Sequence, residues 1–253
     1  MTAEEHVRKV FGARAAFYAT SPAHTDPQVL ARVVALAGPQ PDWLALDIAT
    51  GAGHTAFALA GHVRAVFGTD LTAEMVREAA QLQTTRGIAN VAFALADVHN
   101  LPFPLGTFHL VTCRRAAHHF SRIELALAEM HRVLRHGGRI VIDDRSVPED
   151  DFVDACLNEL DRYHDESHVR QYRPSEWRQM LQGQGFTVES VESYSKHRPL
   201  SAFTGKASPE NVCKIQGAIA RLSPAQREAL HLWDVKGETH LNHWYVMVAG
   251  RKR

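Results

Sequence analysis

No stretch of this sequence approaches the roughly 20 consecutive apolar residues that cross a bilayer, so no membrane span is expected. The opening residues, MTAEEHVRKVFG, are charged where a signal peptide needs an apolar core, which favours a cytoplasmic location. Cysteine is scarce. Cys113, Cys156 and Cys213 are odd in number and far apart, with no CxxC pair to clip a metal or form a redox couple. Charge of either sign is not in surplus, since Lys+Arg and Asp+Glu both number 28, so no net field recruits polyanions and no nucleic-acid partner is expected. Repeats and low-complexity segments are missing as well. What remains is an ordinary globular composition of 253 residues, 45% hydrophobic, enough for one sizeable core and a single domain over 1–253.

From Trp43 to Ile142 short apolar runs alternate with helical stretches. The runs WLALDIA, VRAVFGTD, VAFALAD, FHLVTC and RIVIDD suit strands buried on both faces. Between them lie amphipathic segments such as Thr72–Arg86, with Thr72 as cap and Gly87 as stop, and Arg122–Arg135, with Leu125, Met130, Val133 and Leu134 on its apolar face. Such alternation gives an α/β fold with a mainly parallel sheet. Beyond Pro148 the pattern predicts a helix to about Arg162, another over Pro174–Gln184, a strand over Phe186–Tyr194 and a last strand over His243–Arg251. The stretch Pro199–Lys236 reads as a helical insertion, and its Phe203, Val212, Ile215, Ile219, Leu222, Leu230 and Trp233 either line a pocket or pack a small cap.

The first run ends in Asp47-Ile48-Ala49-Thr50-Gly51-Ala52-Gly53, directly before a helix. Glycines there let the backbone approach a ligand, but Gly51, Gly53 and Ala56 also satisfy a loose nicotinamide fingerprint. Three acids at strand ends decide between the ligands. Asp47 precedes the loop, where a carboxylate suits the cationic methionine end of S-adenosyl-L-methionine better than a pyrophosphate. Asp70 can accept from both ribose hydroxyls, and Asp97 from the adenine amino group. Each acid alone would serve equally as a cap or turn residue; three at successive carboxyl ends of strands mark the ligand rim. His118 and His119 follow the fourth strand and are the candidate catalytic bases, because histidine titrates near neutrality. No metal is expected, since His240 and His243 lack a third ligand.

These residues resemble the successive motifs of class I S-adenosylmethionine-dependent methyltransferases, in the branch related to ubiquinone and menaquinone biosynthesis methylases (methyltransferase domain type 11). The stretches LDIATGAGHTA, GTDLTAEMV, ALADVHNLPFPLGTFHLVTCRRAAHHF and EMHRVLRHGGRIVIDD carry it, from about Phe11 to Asp144. The resemblance implies a Rossmann-like three-layer sandwich with a mostly parallel seven-stranded sheet and an antiparallel last strand. It divides the chain into amino-terminal lid helices over 1–40, a cofactor core over 41–145 and a carboxyl-terminal half over 146–253 holding the insertion 199–236. It implies that Asp47, Ala49, Gly51 and Gly53 surround the methionine end, with Arg115 near its carboxylate. Asp70 and Leu71 would meet the ribose, Met75, Asp97 and Val98 the adenine, and Phe11 and Tyr18 the cofactor from the lid.

Three departures stand out. Ala49 replaces the motif's first glycine, which a tight turn tolerates if φ stays negative, while His109 replaces an aspartate and His136 the proline before Gly137-Gly138, both away from the cofactor. The expected reaction is methyl transfer to a small organic acceptor at carbon, oxygen or sulfur, quinone-like or phenolic, leaving S-adenosyl-L-homocysteine; a homodimer stays open. A non-catalytic S-adenosylmethionine-binding module and a nicotinamide-dependent oxidoreductase are the competing readings.

Overall fold

A computed structural model describes residues 3–205 and 207–253. Three helices come first: α1 (Ala3–Thr20), α2 (Pro22–Thr25) and α3 (Pro27–Ala37). The start of α3 is fixed by Asp26, whose side chain accepts from the N–H groups of Gln28 and Val29, and by Pro27 in the first turn, where a missing N–H costs nothing. There follow β1 (Leu44–Ile48), α4 (His54–Ala60), β2 (Ala65–Asp70), α5 (Ala73–Arg86), β3 (Val91–Leu95), β4 (Phe108–Arg114), α6 (Ile123–Val133) and β5 (Leu134–Ser146). The second half comprises α7 (Asp151–His164), α8 (Pro174–Gly183), β6 (Phe186–Pro199), α9 (Ser201–Thr204), α10 (Pro209–Ala220), α11 (Pro224–Ala229), β7 (Trp233–Val235) and β8 (Glu238–Lys252).

Seven strands form one sheet in the order β3-β2-β1-β4-β5-β8-β6, with β8 antiparallel to both of its neighbours. Successive side chains of a strand point to opposite faces, and the apolar runs supply both. Leu46, Ile48, Val111, Ile140 and Ile142 enter one core with α6 and α8, while Ala45, Leu110 and Val141 enter another with α3 and α4. Each fully buried leucine or isoleucine contributes about 1.5–3 kcal/mol relative to exposure. The chain runs outward through β1, β2 and β3 and then returns to place β4 beside β1. That reversal opens a crevice at the carboxyl ends of β1 and β4, where sheets of this kind bind ligands.

Several sequence expectations need correction. The apolar face of α6 buries Ile123, Ala126, Leu127, Met130 and Val133, whereas Leu125 is exposed. Thr72 stands at the N-cap of α5 without a side-chain cap bond, and its N–H donates to Asp70 Oδ1 instead. An eighth strand, the short β7, pairs with β8 at the end of the segment expected to be helical. β6 and β8 pair as far as Pro199 and His240, beyond the bounds read from hydrophobicity. Their outer residues, Lys196, Arg198 and His240 among them, are polar and escape a pattern based on apolar runs. Between β6 and β7, Phe203, Ile215, Ile219 and Leu230 pack with Val153, Leu157 and Leu160 of α7 as a third core, so the cap alternative holds; Trp233 is exposed.

Candidate functional site

The loop after β1 is built by a run of left-handed backbone. Ala49, Gly51 and Gly53 have φ of 49°, 56° and 86°. A Cβ on Gly53 would lie 2.9 Å from the rings of Phe57 and Phe93, so the close approach of loop and helix requires glycine there. A Cβ on Gly51 would meet nothing within 4 Å, because that position faces an open cleft. Ala49 is a correction, since its φ is positive where a negative value was expected. The left-handed region costs an alanine roughly 1–2 kcal/mol, and glycine gives back about 0.4–1 kcal/mol in unfolded-chain entropy. Ala49→Gly is therefore expected to raise unfolding stability by about 0.5–1 kcal/mol. Urea denaturation checks it, and an unchanged or lower midpoint would contradict the strain.

Asp47 lies beneath the loop, buried, accepting from the hydroxyls of Thr50 at 2.6 Å and Thr112 at 2.7 Å. Burial pushes its carboxyl up to about 6, against the lowering effect of those two bonds and of the Arg114 charge. Asp70, at the end of β2, accepts from the N–H of Gly51 and of Thr72, each at 2.9 Å, so it ties the loop to the start of α5. Its burial likewise raises its carboxyl. Asp97, after β3, accepts from the N–H of His99 at 2.9 Å, and the His99 ring nitrogen Nδ1 is 2.7 Å from the same oxygen. These three acids line one cleft together with Ala49, Gly51, Leu71, Met75 and Val98. Gly53 stands just behind it as the N-cap of α4. The empty space of this cleft, open mouth included, is about 1040 Å³, ample for a nucleoside ligand.

Arg114, which ends β4, and Arg115 after it point different ways. Arg115 lines the cleft, but its own φ of 57° turns the side chain toward the far strands. There Nε donates to Asp143 Oδ2 at 2.9 Å, Nη2 donates to Tyr194 Oη at 2.9 Å, and the guanidinium lies 3.9 Å from the Tyr245 ring centre. Arg114 reaches the loop side instead, donating from Nε to Thr55 Oγ1 at 2.9 Å and from Nη2 to the His24 carbonyl at 2.7 Å. Its Nη1 is buried with no partner among the described residues. An orphaned guanidinium nitrogen beside an ionisable carboxylate, under a loop with open space at Gly51, fits a ligand end carrying both carboxylate and ammonium. Phe11 and Tyr18 of α1 close the cleft from above, their ring centres 5.5 Å apart.

A second cavity, about 1380 Å³ of empty space with its open mouth included, adjoins the first, and Phe11, Tyr18, His24, Arg115 and His119 line both. His118 and His119 sit on a 3-10 turn, Ala117–His119, immediately past β4. His118 is buried, faces the second cavity alone, and holds Nδ1 2.6 Å from Asp144 Oδ1. Asp144 also accepts from the backbone N–H of His118 and of Arg145, each at 2.8 Å. Burial drives the imidazole well below its ordinary value and raises the Asp144 carboxyl to about 6. His119 packs edge-on against Phe11 at the junction, 4.9 Å between centres, with Nδ1 3.1 Å from Ser167 Oγ. The sequence reading missed Arg114, His99, Asp144 and the more distant residues of the second cavity. Among the described residues no group of three or more His, Cys, Asp or Glu is placed to hold a metal ion, and no helix is long and apolar enough to cross a membrane.

Comparison with known proteins agrees with this architecture. A family model described as a methyltransferase domain matches residues 46–142. The uncharacterized methyltransferase YcgJ of Bacillus subtilis is 40% identical over 150 residues, which is 59% of this chain and 59% of that protein. The crystal structure of YcgJ superposes with a TM-score of 0.83 at 30% identity, covering 88% of this chain and 97% of that one. The ubiquinone/menaquinone biosynthesis C-methyltransferase UbiE of Cupriavidus taiwanensis is 37% identical over 112 residues, 43% of this chain and 46% of that protein. The aligned sequence thus spans about half the length of these curated relatives. A geranyl diphosphate C-methyltransferase from Streptomyces coelicolor, solved with Mg2+, geranyl diphosphate and S-adenosyl-L-homocysteine, shares the fold at 13% identity, with a TM-score of 0.63 over 90% of this chain and 79% of that one. The loop, the strand order and the matched stretch 46–142 therefore lead to one assignment: this chain belongs to the methyltransferase-domain family, the class I S-adenosylmethionine-dependent methyltransferases.

Proposed function

We propose that this chain transfers a methyl group from S-adenosyl-L-methionine to a small organic acceptor held in the second cavity. The observation that carries this reading is the set of five residues lining both cavities, which brings two ligand spaces into contact at the end of β4. S-adenosyl-L-methionine supplies a methyl already activated on a sulfonium and leaves as S-adenosyl-L-homocysteine. The chain aligns the two partners and receives a proton. Arg114 Nη1 answers the methionine carboxylate, Asp47 favours the ammonium, Asp70 accepts from the ribose and Asp97 from the adenine amino group. Leu71, Met75 and Val98 give the apolar walls. On the acceptor side, His118 donates from Nδ1 to Asp144, which leaves the Nε2 lone pair for the acceptor's proton; His119 positions Phe11 at the junction. With its imidazole held well below the ordinary value, His118 takes the proton as methyl transfer makes it acidic, which suits a phenol, enol or thiol.

Calorimetric titration tests the reading. S-adenosyl-L-homocysteine is expected to bind and NADH not to bind. The free Asp47 carboxyl titrates at about 6 and a neighbouring ammonium favours its ionised form, so affinity holds above pH 7 and falls below pH 6, by roughly tenfold at pH 5. Preference for NADH would overturn the function, and a pH-independent affinity would remove Asp47 from the ligand's field.

A further inference from the structure

The second cavity carries an excess of positive and hydrogen-donating groups that its own residues do not answer. Its acids are spoken for: Asp161 accepts from Arg145 Nη2 at 2.9 Å and from the Gln171 side chain, while Asp165 accepts from the Ser167 hydroxyl at 2.6 Å and lies 3.5 Å from Arg14. Arg115 is paired with Asp143. What is left over is the guanidinium of Arg198, which has no hydrogen bond or ion pair among the described residues, together with Arg145 Nε and His243 Nε2, both buried without a partner. His243 as a whole is only 4% exposed.

The strand register puts these three groups on one face. Arg145 of β5 stands opposite Tyr245 of β8, His243 is the next same-side residue of β8, and Arg198 of β6 stands opposite Leu241, two residues further. Successive same-side residues are about 7 Å apart along a strand, so the row crosses one wall of the cavity. Burial and the charges of Arg145 and Arg198 hold the His243 imidazole well below its ordinary value, which reflects the same crowding of positive groups. Two buried nitrogens without partners and an unpaired guanidinium on one wall of a cavity suit a ligand anion.

We propose that the methyl acceptor carries an anionic group, a carboxylate or a phosphate, and that Arg198, Arg145 and His243 seat it on the wall formed by β5, β6 and β8. The inference rests on the methyltransferase reading only in calling the ligand an acceptor. The anion fixes one end of the molecule, and the reacting atom then points toward His118 and the junction with the cofactor cleft.

The test follows histidine ring signals by NMR in the full chain, with and without S-adenosyl-L-homocysteine, as inorganic phosphate, benzoate or the neutral benzamide is added. The His243 signal is identified from His243→Gln. Phosphate or benzoate is expected to shift it saturably, with a dissociation constant on the order of 1 mM, and benzamide to leave it in place. Arg198→Gln is expected to weaken that binding at least tenfold and to leave S-adenosyl-L-homocysteine affinity unchanged, since Arg198 lies outside the cofactor cleft. A stronger response to phosphate identifies a phosphate ester as the acceptor class, and a stronger response to benzoate a carboxylic acid. The proposal is overturned if neither anion moves the signal, if benzamide acts like benzoate, or if Arg198→Gln binds as well as the parent. Failure of S-adenosyl-L-homocysteine to bind would remove the methyltransferase reading instead, while the anion titration without it still decides this one.

Discussion

Replacing His118 with glutamine is expected to slow methyl transfer by roughly 10²–10⁴-fold, the usual contribution of a positioned general base, without changing affinity for S-adenosyl-L-homocysteine. The imidazole is held by Asp144 through a 2.6 Å contact, and Asp144 is itself fixed by two backbone N–H groups, so the ring presents its second nitrogen to the cavity in one orientation. Glutamine can still donate to Asp144 and preserve the fold, but it has no basic nitrogen. Because burial holds the imidazole well below its ordinary value, the base is neutral throughout the physiological range. The rate of the parent enzyme should then stay level between pH 7 and 8 and fall as the pH drops below about 6, where Asp144 takes up a proton. Single-turnover release of S-adenosyl-L-homocysteine in the presence of acceptor measures both effects. An undiminished rate in the folded variant would move proton removal to another group or to water.

Asp70→Asn should weaken S-adenosyl-L-methionine and S-adenosyl-L-homocysteine alike by about 1.5–3 kcal/mol, or roughly tenfold to a hundredfold and more, the scale of a hydrogen bond to a charged group. Each carboxylate oxygen already accepts one backbone N–H, from Gly51 and from Thr72, and keeps lone pairs for two ribose hydroxyls. An asparagine places an NH2 against one of those N–H groups, so part of the loss comes from the loop. Comparing the unfolding midpoint of the variant with its calorimetric affinity separates the two contributions. Equal affinity in a folded Asp70→Asn protein would take the ribose role away from this residue.

The parts of this molecule that follow one-dimensional rules were legible from the residues. Alternating apolar runs and amphipathic stretches located β1 to β5 and their helices, because strand and helix periods act locally. The acids at strand ends were legible for the same reason: the parallel sheet gathers those ends on one rim. Backbone torsions were harder to read. Nothing in the identity of Ala49 announces a positive φ, and a left-handed Arg115 reverses the simple alternation that would have told its direction from that of Arg114. The outer ends of β6 and β8 were read as connection because their residues are mostly polar; of these, Arg198 lines the second cavity, while the lone apolar Leu241 enters the third core. His164, His168 and His243 carry no local signature at all; helix α7, the segment after it and β8 bring them together only in three dimensions.

Helix α1 has a thermodynamic consequence of its own. Phe11 and Tyr18 belong to the walls of both cavities, and the helix rests on α5, where Gly12 brings Glu74 close enough that a Cβ would stand 3.1 Å from its carboxylate. A ligand that settles either compartment against this one helix alters the wall presented to the other. If the two spaces hold cofactor and acceptor as proposed, their binding equilibria are expected to share a free energy, and reciprocity would make it equal in both directions: whatever factor the cofactor gains in the presence of acceptor, the acceptor gains in the presence of cofactor.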